Sequence, residues 1–229
     1  MTTGAIRACL CLCLCASGVA LSAQDGAVAD KPPAEVAALA ERHQRSRTLR
    51  GSFTWLVRPI LGPVDPARRA RSGDFAFAVP ASYNIVVRDG ADGPVDRWCS
   101  DGKARWEVSR LSPGDPADVR GPLAVDGGDA DYRRVIACLR LDLDQLVRDH
   151  IPTWRGQERV LELRPREKEA GARGPQVAAI AIQLGPEGDP QRVDIDHTDG
   201  NRWAVEVTRL ERDVALPPEL FSPPLAQPR

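Results

Sequence analysis

GDFAFAVPASYNIVV (Gly73–Val87) holds two alternating apolar stretches that meet at one proline, Pro80. Phe75, Phe77 and Val79 fall on one face of the first stretch; Tyr83, Ile85 and Val87 fall on one face of the second. A period of two marks a half-buried strand. Two such strands side by side make a broad apolar wall. Such a wall has to be covered, by a second layer of protein or by an apolar ligand.

The same period extends outward from this stretch. Upstream, GSFTWLV (51–57) puts Phe53, Trp55 and Val57 on one face, ahead of the Pro-rich break GPVDPARRARSG (62–73). Downstream, RDGADGPVD (88–96) reads as a hairpin connection, and RWCSDGKARWEV (97–108) as two strands around a tight Ser100–Lys103 turn, with Trp106 and Val108 sharing a face. SPGDPADVRGPLAVDGG (112–128) reads as a long break. Beyond it, DADYRRVIACLRLDLDQLVRDH (129–150) carries Tyr132, Val135, Ile136, Leu139, Leu143, Leu146 and Val147 on a single helical stripe. Asp129 would cap that helix and Arg148 would suit its last turn.

RVLELRP (159–165), VAAIAIQLG (177–185) and RVDIDHTDGNRWAVEVTRL (192–210) return to strands. The last turns at Asp199-Gly200-Asn201, after which Trp203, Val205 and Val207 alternate. Ahead of everything, PPAEVAALAERHQRSRTL (32–49) starts with helix-opening prolines and carries Val36, Leu39, Ala40 and His43 on one stripe. The order of helix, strands, long helix and strands predicts one α+β domain on a mostly antiparallel sheet.

Bulk composition narrows the function. The 229 residues are 42% hydrophobic and 28% charged, with a formal net charge of −1. Arginine pairs such as Arg68-Arg69 and Arg133-Arg134 are too short to make a basic stripe, which argues against a nucleic-acid partner. The opening MTTGAIRACLCLCLCASGVALSAQDG has Arg7, an apolar run from Ala8 to Leu21, and a small-residue exit at Ser22-Ala23. This predicts a cleaved secretory signal over 1–23 and a single domain over 24–229. At about 14 residues the apolar run falls short of the roughly 20 needed for a membrane span. Cys11, Cys13 and Cys15 each follow leucine, and Cys9 lies too early, so no lipidated cysteine is expected.

Four of the six cysteines leave with the signal, and Cys99 and Cys138 remain. An isolated pair in an oxidising compartment is expected to be bridged, the alternative being two separate buried thiols. Cys138 falls to one side of the apolar stripe, so a bridge would tether the long helix at its edge.

Signs of catalysis are sparse. Among the histidines, His43, His150 and His197, none sits in a metalloprotease motif, and neither a nucleophile elbow nor a phosphate loop is present. Asp194, Asp196, His197 and Asp199 could in principle gather a cation. The simpler reading has Val193 and Ile195 facing inward, both aspartates facing water and Asp199 serving the turn. No metal or other cofactor is expected. The tryptophans Trp55, Trp106 and Trp203 fit either a plain core or a roomy cavity.

Taken in order, these segments resemble the LolA-type periplasmic carriers of outer-membrane lipoproteins. The resemblance rests on Gly73 and its spacing to Pro80, on the alternation of Tyr83, Ile85 and Val87, and on Ser100-Asp101-Gly102-Lys103 followed by Trp106. It continues through LELRP (161–165) and DGNRWAVEVTRLERDVALPPELFSPP (199–224), and spans roughly 34–224. The resemblance implies an incomplete, strongly curved antiparallel β-barrel, a half-barrel, with helices covering its open side. It implies a periplasmic, non-enzymatic and monomeric carrier for the acyl chains of lipoproteins or lipids, served by an inner-membrane release complex and an outer-membrane acceptor. Phe53, Trp55, Phe75, Phe77, Tyr83, Ile85, Val87, Trp106, Ile180, Ile182 and Trp203 would line the cavity. Leu139 and Leu143 would come from the lid. The arginine that precedes the proline in the family and bonds the lid is Val79 here. A lipid- or lipoprotein-sensing envelope regulator is the alternative on the same scaffold; an exported hydrolase or metal-binding enzyme is a more distant one.

Overall fold

The computed structural model describes residues 31–58, 70–90, 92–112, 114–125, 130–166 and 176–223. The expected signal segment and the capping residue Asp129 lie outside them. Helix α1 (Ala34–Gln44) leads into strands β1 (Thr48–Arg58), β2 (Ala70–Ala78), β3 (Ser82–Arg88), β4 (Val95–Ser100), β5 (Arg105–Arg110) and β6 (Asp118–Leu123). Helices α2 (Ala130–Arg140) and α3 (Leu143–Asp149) follow. Strands β7 (His150–Arg155), β8 (Val160–Pro165), β9 (Val177–Leu184), β10 (Pro190–His197) and β11 (Arg202–Arg212) complete the order.

All the strands join one 11-stranded sheet in the order β6-β5-β4-β3-β2-β1-β11-β10-β9-β8-β7. Each half is a meander, and β1 pairs with β11 where the halves meet. The two outermost strands, β6 and β7, do not pair, so this α+β structure is an open, curved sheet and not a closed barrel. Helices α2 and α3 carry the chain from one edge to the other, with α2 against β10 and α3 against β7 and β8.

Cross-strand pairing sorts every side chain to one face, because directly opposed residues share a face. Phe77 opposes Leu49 and Tyr83; Phe75 opposes Gly51 and Ile85; Gly73 opposes Phe53 and Val87. In the other half, Trp203 opposes Val57 and Ile195, Ile195 opposes Ile180, and Ile180 opposes Leu163. These residues form one inner wall, and the helix residues Val36, Leu39, Ala40, Val135, Leu139, Leu143 and Leu146 join it in a single core. Each fully buried aliphatic side chain there stabilises the fold by about 1.5–3 kcal/mol.

Two glycines shape the aromatic part of the wall. A Cβ on Gly73 would lie 2.2 Å from Cζ of Phe53, and one on Gly51 would lie 2.4 Å from Cζ of Phe75. The outer edge of each phenylalanine ring therefore occupies the space beside the glycine of the neighbouring strand, a close approach that any side chain would block.

Three expectations are corrected here. The long helix is two helices: Leu141 adopts a left-handed backbone conformation (φ 50°), its N–H reaches the Cys138 carbonyl, and the Asp142 N–H reaches that of Ala137. This is a helix-ending arrangement usually given to glycine. Full burial of the Leu141 side chain compensates, and the Asp142 carboxylate then caps α3 by accepting from the Gln145 N–H. The break at 112–128 contains strand β6, and HIPTWR (150–155), not expected as a strand, is β7. Both lie at sheet edges and both contain a proline, Pro122 and Pro152, a residue tolerated where one side of the strand needs no donor.

Candidate functional site

The inner wall and its helices form the candidate site, and in this structure the wall is covered. Phe53, Trp55, Phe75, Phe77, Tyr83, Ile85, Val87, Ile180 and Ile182 are all buried, and Trp203 is half-buried beside them. Leu139 and Leu143 lie in the same core. The aromatic members touch in series. Phe53 packs on Phe75 and Trp55, Phe75 on Phe77, and Trp55 on Trp203 at 5.2 Å between ring centroids.

Trp106 does not belong to this wall. It opposes Cys99, which opposes Asn84, which opposes Ala76; that row is the outer face. Its ring lies over Gly121 of β6, where a Cβ would come within 2.4 Å of the indole Cδ1. Trp98, one residue before Cys99, takes the inner position. It opposes Ile85 and stacks on Tyr132 of α2, ring centroids 3.8 Å apart. The alternation within RWCS could have separated Trp98 from Cys99, but not told which of them faces inward.

The same row settles the cysteines. Cys99 is on the outer face, Cys138 is fully buried among the core residues of α2, and the sheet stands between them. Both thiols are free, against the expected bridge. Burial pushes the Cys138 thiol up to about 12 and raises that of Cys99, so neither is a ready nucleophile.

One end of the wall is fastened by polar bonds. There His43 of α1 is fully buried, with Nδ1 3.2 Å from Asp189 Oδ1 and Nε2 3.1 Å from the Leu139 carbonyl oxygen. Asp189, in the β9–β10 turn, also accepts from Arg212 at the end of β11. Burial works against the Asp189 carboxylate, but the bonds from His43 and Arg212 outweigh it and hold its carboxyl below the usual range. Gln44 donates to the Leu141 carbonyl at 2.8 Å.

At the same end, Arg140 closes α2 over the β2–β3 turn. Its Nη2 donates to the Pro80 carbonyl at 2.9 Å, and its guanidinium carbon sits 5.8 Å from the centre of the Phe77 ring. Burial pulls the Arg140 pKa down from its ordinary value. Val79, where the resembled family has its lid-bonding arginine, is 60% exposed. The fastening arginine here is on the helix, and its acceptor is on the wall. A polar-rimmed cleft of about 270 Å³ lies beside this latch, bordered by Arg47, Leu49, Phe77, Pro80, Arg140 and Asp142.

At the opposite end lie Val57, Trp203 and His197, with Tyr132 above them against Trp55. His197 is 5% exposed and packs on Trp203 at 4.8 Å, yet neither of its ring nitrogens has a hydrogen-bond partner among the described residues. The indole N–H of Trp55 also has none.

The acidic cluster is otherwise engaged. Asp194 accepts two bonds from Arg192, Asp196 is paired with Arg202, and Asp199 accepts from the backbone and side chain of Asn201. The Arg202 bond lowers the Asp196 carboxyl. Among the described residues, no group of three His, Cys, Asp or Glu side chains is placed to hold a metal ion. No helix there is long and apolar enough to cross a membrane.

No protein-family model and no curated protein matches the sequence. Solved structures do match its shape. A DUF1329 family protein from Desulfovibrio piger is 14% identical, with a TM-score of 0.43 over 86% of this chain and 100% of the other. A domain from Vibrio parahaemolyticus, described as an outer membrane lipoprotein-sorting protein, is 10% identical, with a TM-score of 0.40 over 82% and 95%. A LolA superfamily protein from Nitrosomonas europaea is 11% identical, with a TM-score of 0.38 over 82% and 97%. At such identities and TM-scores these likenesses carry no functional weight.

Proposed function

We propose that the chain is a non-enzymatic carrier that shields the acyl chains of lipoproteins or lipids against the inner wall while they cross the periplasm. The observation that carries the reading is the way the wall is covered. A continuous aromatic and aliphatic face is closed by helices that polar bonds fasten to the sheet and its turns: His43 to Asp189, Arg140 to Pro80, Glu35 to Trp154 and Val147 to Arg166. Parting those helices breaks these bonds and exposes the wall. An acyl chain can then replace the lost packing, because each methylene withdrawn from water is worth about 0.8 kcal/mol, on the order of 10 kcal/mol for a long chain. In this reading Phe53, Trp55, Phe75, Phe77, Tyr83, Ile85, Val87, Ile180, Ile182 and Trp203 line the opened cavity, joined by Trp98. Leu139 and Leu143 withdraw with the lid, and delivery needs a membrane donor and an acceptor.

Mass spectrometry of material that co-purifies with the protein, together with titration of the hydrocarbon probe diphenylhexatriene, tests this. Bound acyl lipid or acylated peptide and saturable probe binding are expected. Ile85→Glu, which sets a carboxylate in the middle of the apolar wall, should abolish probe binding. Phe77→Glu should weaken it less, because Arg140 lies over that position. A folded Ile85→Glu or Phe77→Glu variant that binds the probe as the parent does would remove the cavity from this wall.

A further inference from the structure

The structure assigns a polar anchor to the otherwise apolar wall: His197 and the indole N–H of Trp55, flanking Trp203, form a binding site for the carbonyl group at the root of an acyl chain. The inference rests on the carrier reading and names the part of the cargo that the site holds.

Burying a hydrogen-bonding group without a partner is costly, and folded proteins avoid it. Here it occurs at three atoms of two side chains that both pack on Trp203. Both nitrogens of the His197 ring and Nε1 of Trp55 are buried with no partner among the described residues. His197 is 95% buried by its 5% exposure, and Trp55 is 4% exposed. The two side chains lie on either side of one ring, with Trp203 5.2 Å from Trp55 and 4.8 Å from His197 between centroids. Contrast His43, equally buried, which uses both of its nitrogens. An unpartnered histidine amid aromatic rings adds little to the closed structure. A ligand that enters the wall would complete it.

The available donors and acceptors define that ligand. Trp55 can only donate; a neutral imidazole donates from one nitrogen and accepts at the other. A carbonyl oxygen can accept from either donor, and with Trp203 between the two side chains the donors serve different groups of the cargo. A hydroxyl or amide N–H next to it can serve the accepting nitrogen. That pairing of groups is found in a glyceryl ester and in an N-acyl amide alike. The neighbouring Arg202 is held by Asp196, which favours an uncharged carbonyl over a carboxylate. Trp203, Val57 and Tyr132, all half-buried, form the rim through which such a group would arrive, at the end of the wall away from the His43 and Arg140 fastenings.

The test uses monooleoylglycerol and an N-oleoyl dipeptide, each carrying a ¹³C label at the acyl carbonyl, with diphenylhexatriene as a probe that has no carbonyl. On binding, the labelled carbonyl stretch should move to lower wavenumber than in an apolar solvent. His197→Phe should reverse most of that shift and weaken acyl-ligand binding about three- to tenfold, the effect of one or two lost hydrogen bonds. Diphenylhexatriene affinity should be unchanged, and the ligand-free variant should melt no lower than the parent. His197→Gln should retain part of the affinity, and Trp55→Phe supplies an independent loss of a donor. The ligand that suffers the larger loss identifies the source as lipid ester or acylated peptide. A bound but unshifted carbonyl, or His197→Phe and Trp55→Phe variants that bind both acyl ligands like the parent, would overturn the anchor and leave the carrier reading in place. A parent protein that binds neither the acyl ligands nor diphenylhexatriene would overturn both.

Discussion

The two ends of the inner wall solve the problem of a buried histidine in opposite ways. At the end formed by the β2–β3 and β9–β10 turns, His43 bonds Asp189 and Leu139 through both ring nitrogens, Arg212 supports Asp189, and Arg140 bonds Pro80. At the end where β10 turns into β11, the ring nitrogens of His197 have no bond partner among the described residues, and the ring packs on Trp203, which packs in turn on Trp55. His150 is intermediate, with Nδ1 3.0 Å from the Leu146 carbonyl oxygen. The difference separates holding from receiving. Directional bonds fix His43 and its helix at the first end, whereas at the second the His197 ring has only non-directional packing and its polar valence is left unused.

The largest effect should come from breaking the fastened end. His43→Ala removes a bond to a carboxylate and one to a carbonyl, and leaves a cavity, so it should cost about 2–4 kcal/mol in denaturant unfolding. A loss below about 1 kcal/mol would show that this end is not the clamp. Gly73→Val tests the wall between the ends. The new side chain meets the Phe53 ring and the Val86 carbonyl oxygen at 2.6 Å or less, and about 1–3 kcal/mol should be lost, read from the same unfolding curves.

Arg140→Met should cost less, roughly 1 kcal/mol, since it removes one hydrogen bond and one cation–ring contact from a half-buried site. Its more telling result should be kinetic: diphenylhexatriene should enter severalfold faster by stopped-flow fluorescence. An unchanged entry rate would mean that the helices part elsewhere.

Acid should act on the fastened end through Asp189, with Asp196 and Asp101, whose carboxyls are also lowered, contributing in the same direction. The Asp189 carboxyl is lower in the folded than in the unfolded chain, so its contribution is fully present above the unfolded value of about 3.9 and is lost as pH falls through the lower folded value. Asp189→Asn should flatten the decline of the unfolding midpoint across that window; an equally steep decline would place the acid sensitivity in other carboxylates. The smallest effect should come from reductant. Thiol counting on the denatured, unreduced chain from residue 24 onward should find both Cys99 and Cys138 free, and reductant should leave the melting temperature unchanged. A bridge between them would contradict the placement of one on each face of the sheet.

Much of this arrangement was legible as period. The alternation at Phe53, Trp55 and Val57, at Phe75 and Phe77, and at Tyr83, Ile85 and Val87 marks residues that share the inner face in the pairing register. The stripe Val36, Leu39, Ala40 and His43 is the buried side of α1. Where the reading failed, the signal was either cancelled or missing. Edge strands β6 and β7 contain proline; β6 is exposed along nearly its whole length, and β7 begins at His150, where the helical stripe was read to run. Leu141 stands where a helix end would normally show glycine.

The sequence by itself determined the alternating strands, the tight turns at Ser100–Lys103 and Asp199–Asn201, and the amphipathic stripes, because each depends on residues a few positions apart. Only the tertiary structure decided which face of β4 and β5 turns inward, and so exchanged Trp106 for Trp98 and parted Cys99 from Cys138. It alone decided that His43 is bonded through both nitrogens and His197 through neither. Those outcomes depend on partners such as Asp189 and Leu139, about a hundred residues or more from His43 in the chain. Period names the two faces of a strand, and the long-range pairing of the whole sheet chooses between them.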